Sequence, residues 1–107
     1  MLYEYRKYTV TPGRMGDLVA RMNDHTARLF ERHGIRLVGA WQAVVGNTNE
    51  LHHILAWESF EERETRWGAF SSDEEWLAIL RESDGDGKIR DHAVNELWKP
   101  IACSPLQ

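Results

Sequence analysis

Histidine changes charge near neutral pH and is the commonest metal ligand, so the five histidines of this chain are where chemistry would begin. Their spacing argues against a shared ion. His52 and His53 are adjacent in a segment that reads as a strand, so their side chains point to opposite faces. His25 and His33 are more than two helical turns apart, too far to chelate together. There is no His-Glu-x-x-His or Cys-x-x-Cys motif. Asp84-Gly85-Asp86-Gly87 has the look of a calcium loop, but the twelfth position counted from Asp84 is Asn95 rather than the glutamate such a loop needs. No metal site and no cofactor are expected. A phosphate-binding P-loop, a Gly-x-Gly-x-x-Gly fingerprint and a Gly-x-Ser-x-Gly elbow are all missing. Cys103, with no basic neighbour in sequence, reads as an inert thiol.

What remains is a set of His, Tyr, Arg and Trp side chains on strands. Residues 2–10 place Glu4, Arg6 and Tyr8 on one face and Tyr3, Tyr5 and Lys7 on the other. Residues 50–58 place Leu51, His53, Leu55 and Trp57 together, so His53 is a lone polar group on an apolar strand face. An imidazole there can move a proton to or from a bound molecule, with Tyr8 as its polar partner. Tyr3, Arg6 and His25 are candidate ligand contacts, and Trp41, Trp57 and Trp67 supply flat walls for an aromatic ligand. Each has a plainer assignment. His53 is a core histidine with a satisfied hydrogen bond, Arg6 an ion pair with Glu4, His25 a solvated helix edge, and the tryptophans core or interface. Burial would lower the His53 pKa and a nearby carboxylate would raise it.

These residues need elements to position them. Three tyrosines with Thr9 and Val10 make residues 2–10 a strand, which Pro12-Gly13 ends. Met15, Leu18, Val19, Met22, Leu29 and Phe30, with Thr26 in the gap, form one helical stripe between Arg14 and His33; Gly34 then sits where a left-handed cap belongs. Residues 36–46 and 50–58 read as strands joined by a short turn, hence an antiparallel hairpin. Ser59 with Glu62 opens a second helix, with Glu62–Arg66 as a solvated i,i+4 pair. Ser72 with Glu75 reopens it, and Trp76, Leu77 and Leu80 follow as a core edge anchored by Trp76. A loop at Asp84–Gly87 leads to a last strand, residues 89–98. The order β-α-β-β-α-β is that of ferredoxin-like α+β folds, with a four-stranded antiparallel sheet and both helices on one face. The second strand is apolar on both sides, with Val38, Ala40 and Val44 alternating against Leu37, Trp41 and Val45. A sheet with one wet face should alternate apolar with polar, so a homodimer covering that face is expected.

The bulk numbers bound the rest. The 107 residues make one domain, residues 1–107, of 42% hydrophobic and 28% charged composition. A net charge of −4 with no basic run excludes a nucleic-acid partner. A start that is charged at once, one cysteine and no long apolar run point to a cytoplasmic protein with no membrane partner.

The ordered set YEYRKYTVTPGRM, RHGIRLVGAW, NELHHILAWESFEERETRW, DEEW and NELWKPIACSPL resembles the NIPSNAP family over nearly the whole chain. The departures are the glycine-rich Asp84–Gly87 loop where members often keep helix, and Cys103 where an aromatic is common. The resemblance implies a dimeric α+β barrel, two ferredoxin-like halves with their sheets facing each other. It implies no single activity: relatives of the barrel include cofactor-independent polyketide cyclases, quinone-forming monooxygenases, isomerases and haem-binding enzymes. The expectation is a barrel holding a small hydrophobic or aromatic metabolite, acting if at all by His53/Tyr8 proton transfer as a cyclase, isomerase or monooxygenase. The alternatives are a non-catalytic binding or protein-interaction module and a haem protein with a histidine axial ligand.

Overall fold

In a computed structural model of the protein, described over residues 1–85 and 87–107, strands and helices alternate in the expected order. They are β1 (Leu2–Val10), α1 (Met15–Arg21), a π-helical turn (Met22–Thr26), α2 (Ala27–Arg32), β2 (Arg36–Gln42), β3 (Glu50–Trp57), α3 (Phe60–Ser71), α4 (Glu74–Ser83) and β4 (Arg90–Trp98). Asp86, third residue of the expected Asp84–Gly87 loop, lies outside the described residues. The sheet runs β2-β3-β1-β4 with every neighbouring pair antiparallel, which is the ferredoxin-like topology.

On β1 and β3 the strand faces fall as the alternation requires. In β2 a register shift between Leu37 and Gly39 breaks it. Leu37 shares the helix-side face with Ala40 while Trp41 lies on the outer face, not on one face with Leu37 as the simple alternation predicts. On β1, Glu4, Arg6, Tyr8 and Val10 are buried beneath the helices, and on β3 so are Leu51, His53, Leu55 and Trp57. Two apolar clusters fill the space between sheet and helices. Leu29, Phe30, Leu55, Trp57 and Phe70 form one, and Val10, Leu18, Met22, Leu51 and Ile89 anchor the other. Gly34 ends α2 at φ +69°, the left-handed conformation that favours glycine; a Cβ there would also have to push aside the exposed Arg66 guanidinium.

Four expectations need correcting. The first helix is not uniform: a π-turn interrupts it at Met22–Thr26, where Thr26 Oγ1 donates to the Arg21 carbonyl at 3.4 Å. The second strand stops at Gln42, not at residue 46. Its last partner is Leu51, one residue from the start of β3, so the partner strand runs out, and Val44 and Val45 project from the loop at 91% and 94% exposure. The helix after Ser71 is capped by Asp73, not Ser72. Asp73 Oδ1 accepts from the backbone N–H of Glu75 and Trp76, while the Ser72 hydroxyl turns back to the Gly68 carbonyl. In α4 the fully packed residue is Ile79; Leu77 is exposed and Trp76 is half-buried, so Trp76 is not a core anchor. At the other cap the reading holds, with Ser59 Oγ accepting from Glu62 N–H at 3.1 Å and Glu62 pairing with Arg66.

The sheet face away from the helices carries Tyr3, Tyr5, Lys7 and His52. Tyr5 donates to or accepts from His52 Nδ1 at 2.8 Å and stacks on Trp98 at 5.0 Å between centroids. Trp41 lies flat over Gly39, where any Cβ would strike its ring, and is 52% exposed; Val94 and Trp98 are also open to solvent.

Candidate ligand cleft

A cleft of about 510 Å³ opens between sheet and helices, within the range of small-molecule sites. Arg6 and Tyr8 of β1 form its floor, and Trp67 and Phe70 of α3 one wall. Trp76 and Leu80 of α4 continue that wall, while Arg21, Met22 and Thr26 come from the last residue of α1 and the π-turn. Lys88, Arg90 and His92 stand on the segment leading into and along β4. The aromatic wall is a packed unit: Phe70 touches Phe30, Trp67 and Trp76 with ring centroids 5.0, 5.1 and 4.7 Å away.

Beneath the floor lies a buried ionic network centred on Glu4. Its carboxylate accepts from Arg63 Nε (2.8 Å) and Nη2 (3.1 Å), Arg6 Nη1 (2.8 Å), Asn95 Nδ2 (2.9 Å) and Trp57 Nε1 (3.0 Å). Burial by itself would raise the Glu4 pKa. Hydrogen bonds from Arg63, Asn95 and Trp57, with the Arg6 charge, outweigh it and hold the group at about 2. Arg6 is thereby fixed in place, its guanidinium 4.3 Å from the centre of the Trp67 ring and its Nε and Nη2 donating weakly to the Tyr8 hydroxyl at 3.4 Å.

His53 sits behind Tyr8, rings edge to face at 5.0 Å, and is fully buried. Neither ring nitrogen has a hydrogen-bond partner among the described residues. Burial lowers its pKa to about 4, helped by the charges of Arg6 and Arg90 and opposed by Glu4, so the ring is neutral at pH 7.

Of the residues singled out from sequence, the fold brings Arg6, Tyr8 and Trp67 to the cleft wall and places His53 directly behind Tyr8. The others lie elsewhere. Trp57 is buried with its indole N–H tied to Glu4. Tyr3 and Trp41 are on the opposite sheet face, where Tyr3 Oη donates to the Gln107 carbonyl at 3.2 Å. His25 borders a separate, shallow depression with Asp17, Ala20 and Asp24. Arg6 and Glu4 do pair, but side by side along β1 rather than across strands or a dimer. Sequence reasoning missed Arg21, Trp76 and Arg90. Arg21 had a readable signal: it falls three residues after Leu18, on the apolar stripe, where a cation has to be partnered or aimed into a site.

The histidines do not fit a haem held from inside the cleft. His53 is screened by Tyr8, and the wall histidine, His92, is exposed with its nitrogens against Thr9 and Asp91. No cluster of three or more His, Cys, Asp or Glu able to hold a metal occurs among the described residues, and no described helix is long and apolar enough to cross a membrane.

A four-stranded antiparallel sheet, helices on one face and a cleft between them define a ferredoxin-like small-molecule-sized α+β domain. The NIPSNAP family model matches residues 3–105, and the chain belongs to the NIPSNAP family. A NIPSNAP family protein of unknown function from Agrobacterium tumefaciens is similar over 100% of this chain and 94% of its own, at 30% identity and a TM-score of 0.89. An uncharacterized NIPSNAP domain protein from Burkholderia xenovorans is similar at 22% identity and a TM-score of 0.85, covering 98% of this chain and 99% of that one. A putative antibiotic biosynthesis monooxygenase from Bordetella bronchiseptica shares the fold at 14% identity and a TM-score of 0.67, over 94% of this chain and 96% of its own. No curated protein matches the chain.

Proposed function

We propose that this NIPSNAP protein binds a small, flat, mainly apolar metabolite in the cleft between sheet and helices of each subunit of a homodimer. The observation that carries the reading is the cleft itself: about 510 Å³, walled by Tyr8, Trp67, Phe70 and Trp76. Aromatic walls with a few fixed polar groups are how proteins hold flat ligands. The dimer would bury the exposed Trp41, Val94 and Trp98 of the outer sheet face against a second copy. The test uses 2-naphthamide, a neutral bicyclic probe, and the indole N–H signals of the five tryptophans in heteronuclear NMR spectra. Shifts confined to Trp67 and Trp76, lost in Trp67→Ala, support the reading. Shifts at Trp41 and Trp98 alone, or none, overturn it.

A catalytic version has one specific observation behind it. His53 is a neutral imidazole with both nitrogens uncommitted, one ring away from the cleft. Tyr8 sits between, its hydroxyl already receiving Arg6. In this reading Tyr8 orients a carbonyl or phenolate of the ligand, and His53 accepts the proton when the Tyr8 ring swings aside. The likeness of fold to a putative monooxygenase is compatible with such cofactor-independent chemistry. Loss of turnover in His53→Asn with stability retained supports it, and undiminished turnover of an identified substrate in that variant removes it.

A further inference from the structure

We propose that the ligand of this cleft is a monoanion, a flat apolar body ending in a carboxylate, with Arg21 and Arg90 receiving the carboxylate. The inference rests on the cleft being the binding site and adds the charge of what it binds. Four cationic side chains, Arg6, Arg21, Lys88 and Arg90, line the cleft against two acidic ones, Asp84 and Asp91, in a chain whose net charge is −4. The excess is not an even scatter of surface charge.

Arg21 is the built element. Its residue is only 7% exposed, and its Nε is buried with no hydrogen-bond partner among the described residues. One nitrogen, Nη1, is committed to Ser83 Oγ at 3.0 Å and Asp84 Oδ1 at 3.1 Å, which hold the guanidinium at the cleft wall. Asp84 is itself divided, since Oδ1 also accepts the Ile89 backbone N–H at 3.2 Å. Nε is shut off from solvent, so the edge left for a ligand is Nη2, which has no hydrogen-bond partner among the described residues, and a carboxylate is the acceptor that suits a permanent cation there. Arg90 lies with its guanidinium 4.6 Å from the centre of the Tyr8 ring and has no acidic partner among the described residues. Arg6, by contrast, is committed to Glu4 and serves as floor. At His53 burial lowers the proton affinity most, and Arg6 lowers it further, with Glu4 opposing and Arg90 adding a smaller push in the same direction as Arg6. With Arg6 neutralised by Glu4, three cations, Arg21, Lys88 and Arg90, face two lining carboxylates, Asp84 and Asp91, and the single unmatched positive charge suits a monoanion over a phosphate ester dianion.

The test compares 2-naphthoate with 2-naphthamide, equal in shape and different by one charge, and adds 2-naphthyl phosphate as the dianion. Binding is followed by calorimetry and by the Trp67 and Trp76 indole signals. The naphthoate is expected to bind about tenfold or more tighter than the amide, the worth of a charge-assisted hydrogen bond, and the phosphate no tighter than the naphthoate. Arg21→Met and Arg90→Gln should each weaken the naphthoate several-fold more than they weaken the amide, narrowing the ratio of the two affinities. Arg90 is exposed, so Arg90→Gln decides the matter if Arg21→Met does not fold. Equal affinity for naphthoate and amide overturns the anion assignment while leaving the cleft as a neutral-ligand site. A preference for naphthoate that survives both substitutions overturns the assignment to these arginines. A tighter phosphate overturns the monoanion, and absence of binding by every probe removes the cleft reading and this one together.

Discussion

Glu4 and His53 are buried side by side in the sheet yet respond to acid in different pH ranges. His53 falls from 6.5 to about 4 on folding. The unfolded chain therefore takes up a proton that the folded one refuses, and the stability of the neutral ring is complete above pH 6.5 and lost as pH drops toward 4. Glu4 falls from 4.5 to about 2. Its contribution is complete above pH 4.5 and lost as pH drops toward 2, worth about 3 kcal/mol over that interval. Denaturant titrations from pH 7 to 2 should show both losses in turn. His53→Leu should flatten the upper one and, by removing two unpartnered nitrogens, hold or raise stability at pH 7 by about 1 kcal/mol. If ligand binding or turnover falls in that stable variant, the histidine is kept for function. Glu4→Gln should flatten the lower step and cost about 3 kcal/mol at pH 7, because it leaves Arg6 and Arg63 without their anion. The residue types of this network were readable from the strand alternation. Its closure by Arg63 and Asn95, distant in sequence, was not, because alternation reports which face a side chain takes and not what crosses the sheet to meet it.

At the scale of elements, the cap and the wall of α4 make opposite demands on two neighbouring residues. Asp73 closes the helix start through two backbone N–H groups and also accepts from His33 Nε2 at 2.7 Å. Asp73→Ala should cost about 1 kcal/mol, read by chemical denaturation, with Ser72→Ala within about 0.5 kcal/mol of zero. Ser and Asp are both good caps, and only the backbone angle at the turn decides between them, which is why the sequence pattern chose the wrong one. Phe70, 2% exposed, lies at the centre of the aromatic wall, whereas Trp76 is on its surface. Phe70→Ala should cost about 3–5 kcal/mol. Trp76→Ala should cost less, about 2 kcal/mol, and show itself more in weakened binding of the naphthalene probes. The helical stripe gave no hint of the π-turn, because steps of three and four continue through Met22, Thr26 and Leu29 without a break.

For the whole molecule, element order and the faces of β1 and β3 were legible because hydrophobic period and turn residues are local signals, and the sheet order follows from them by few choices. The faces of β2 were not, because a register shift after Leu37 leaves no mark in an apolar run. The cleft was not legible. Its cations come from β1, α1, the turn into β4 and β4 itself, and only tertiary packing brings them to one cavity. The outer sheet face stands between these cases: its apolar excess was visible in the second strand, though Val44 and Val45 belong to a loop and not to that face. Trp41→Glu places a charge on the edge strand of the outer face, within the proposed dimer contact, without touching the core. Light scattering should give a dimer for the wild-type chain at micromolar concentration and a monomer for the variant, with the cleft's indole signals unchanged in the free protein. A monomeric wild-type chain would leave the open tryptophans without a partner of their own kind.

The π-turn adds one residue to the helix it interrupts, and the helix on either side keeps its packing. Loss of a single codon in this stretch, at the exposed Asn23 for example, would restore a regular α-helix while leaving Leu18 and Leu29 seated in their clusters. Met22 and Thr26, the turn's contribution to the cleft wall, would be re-aimed, Met22 also shifting against the cluster it shares with Leu18 and Leu51. Relatives that differ by a one-residue gap here are thus expected to share the fold and part company over the ligand, a change of diet made by length rather than by substitution.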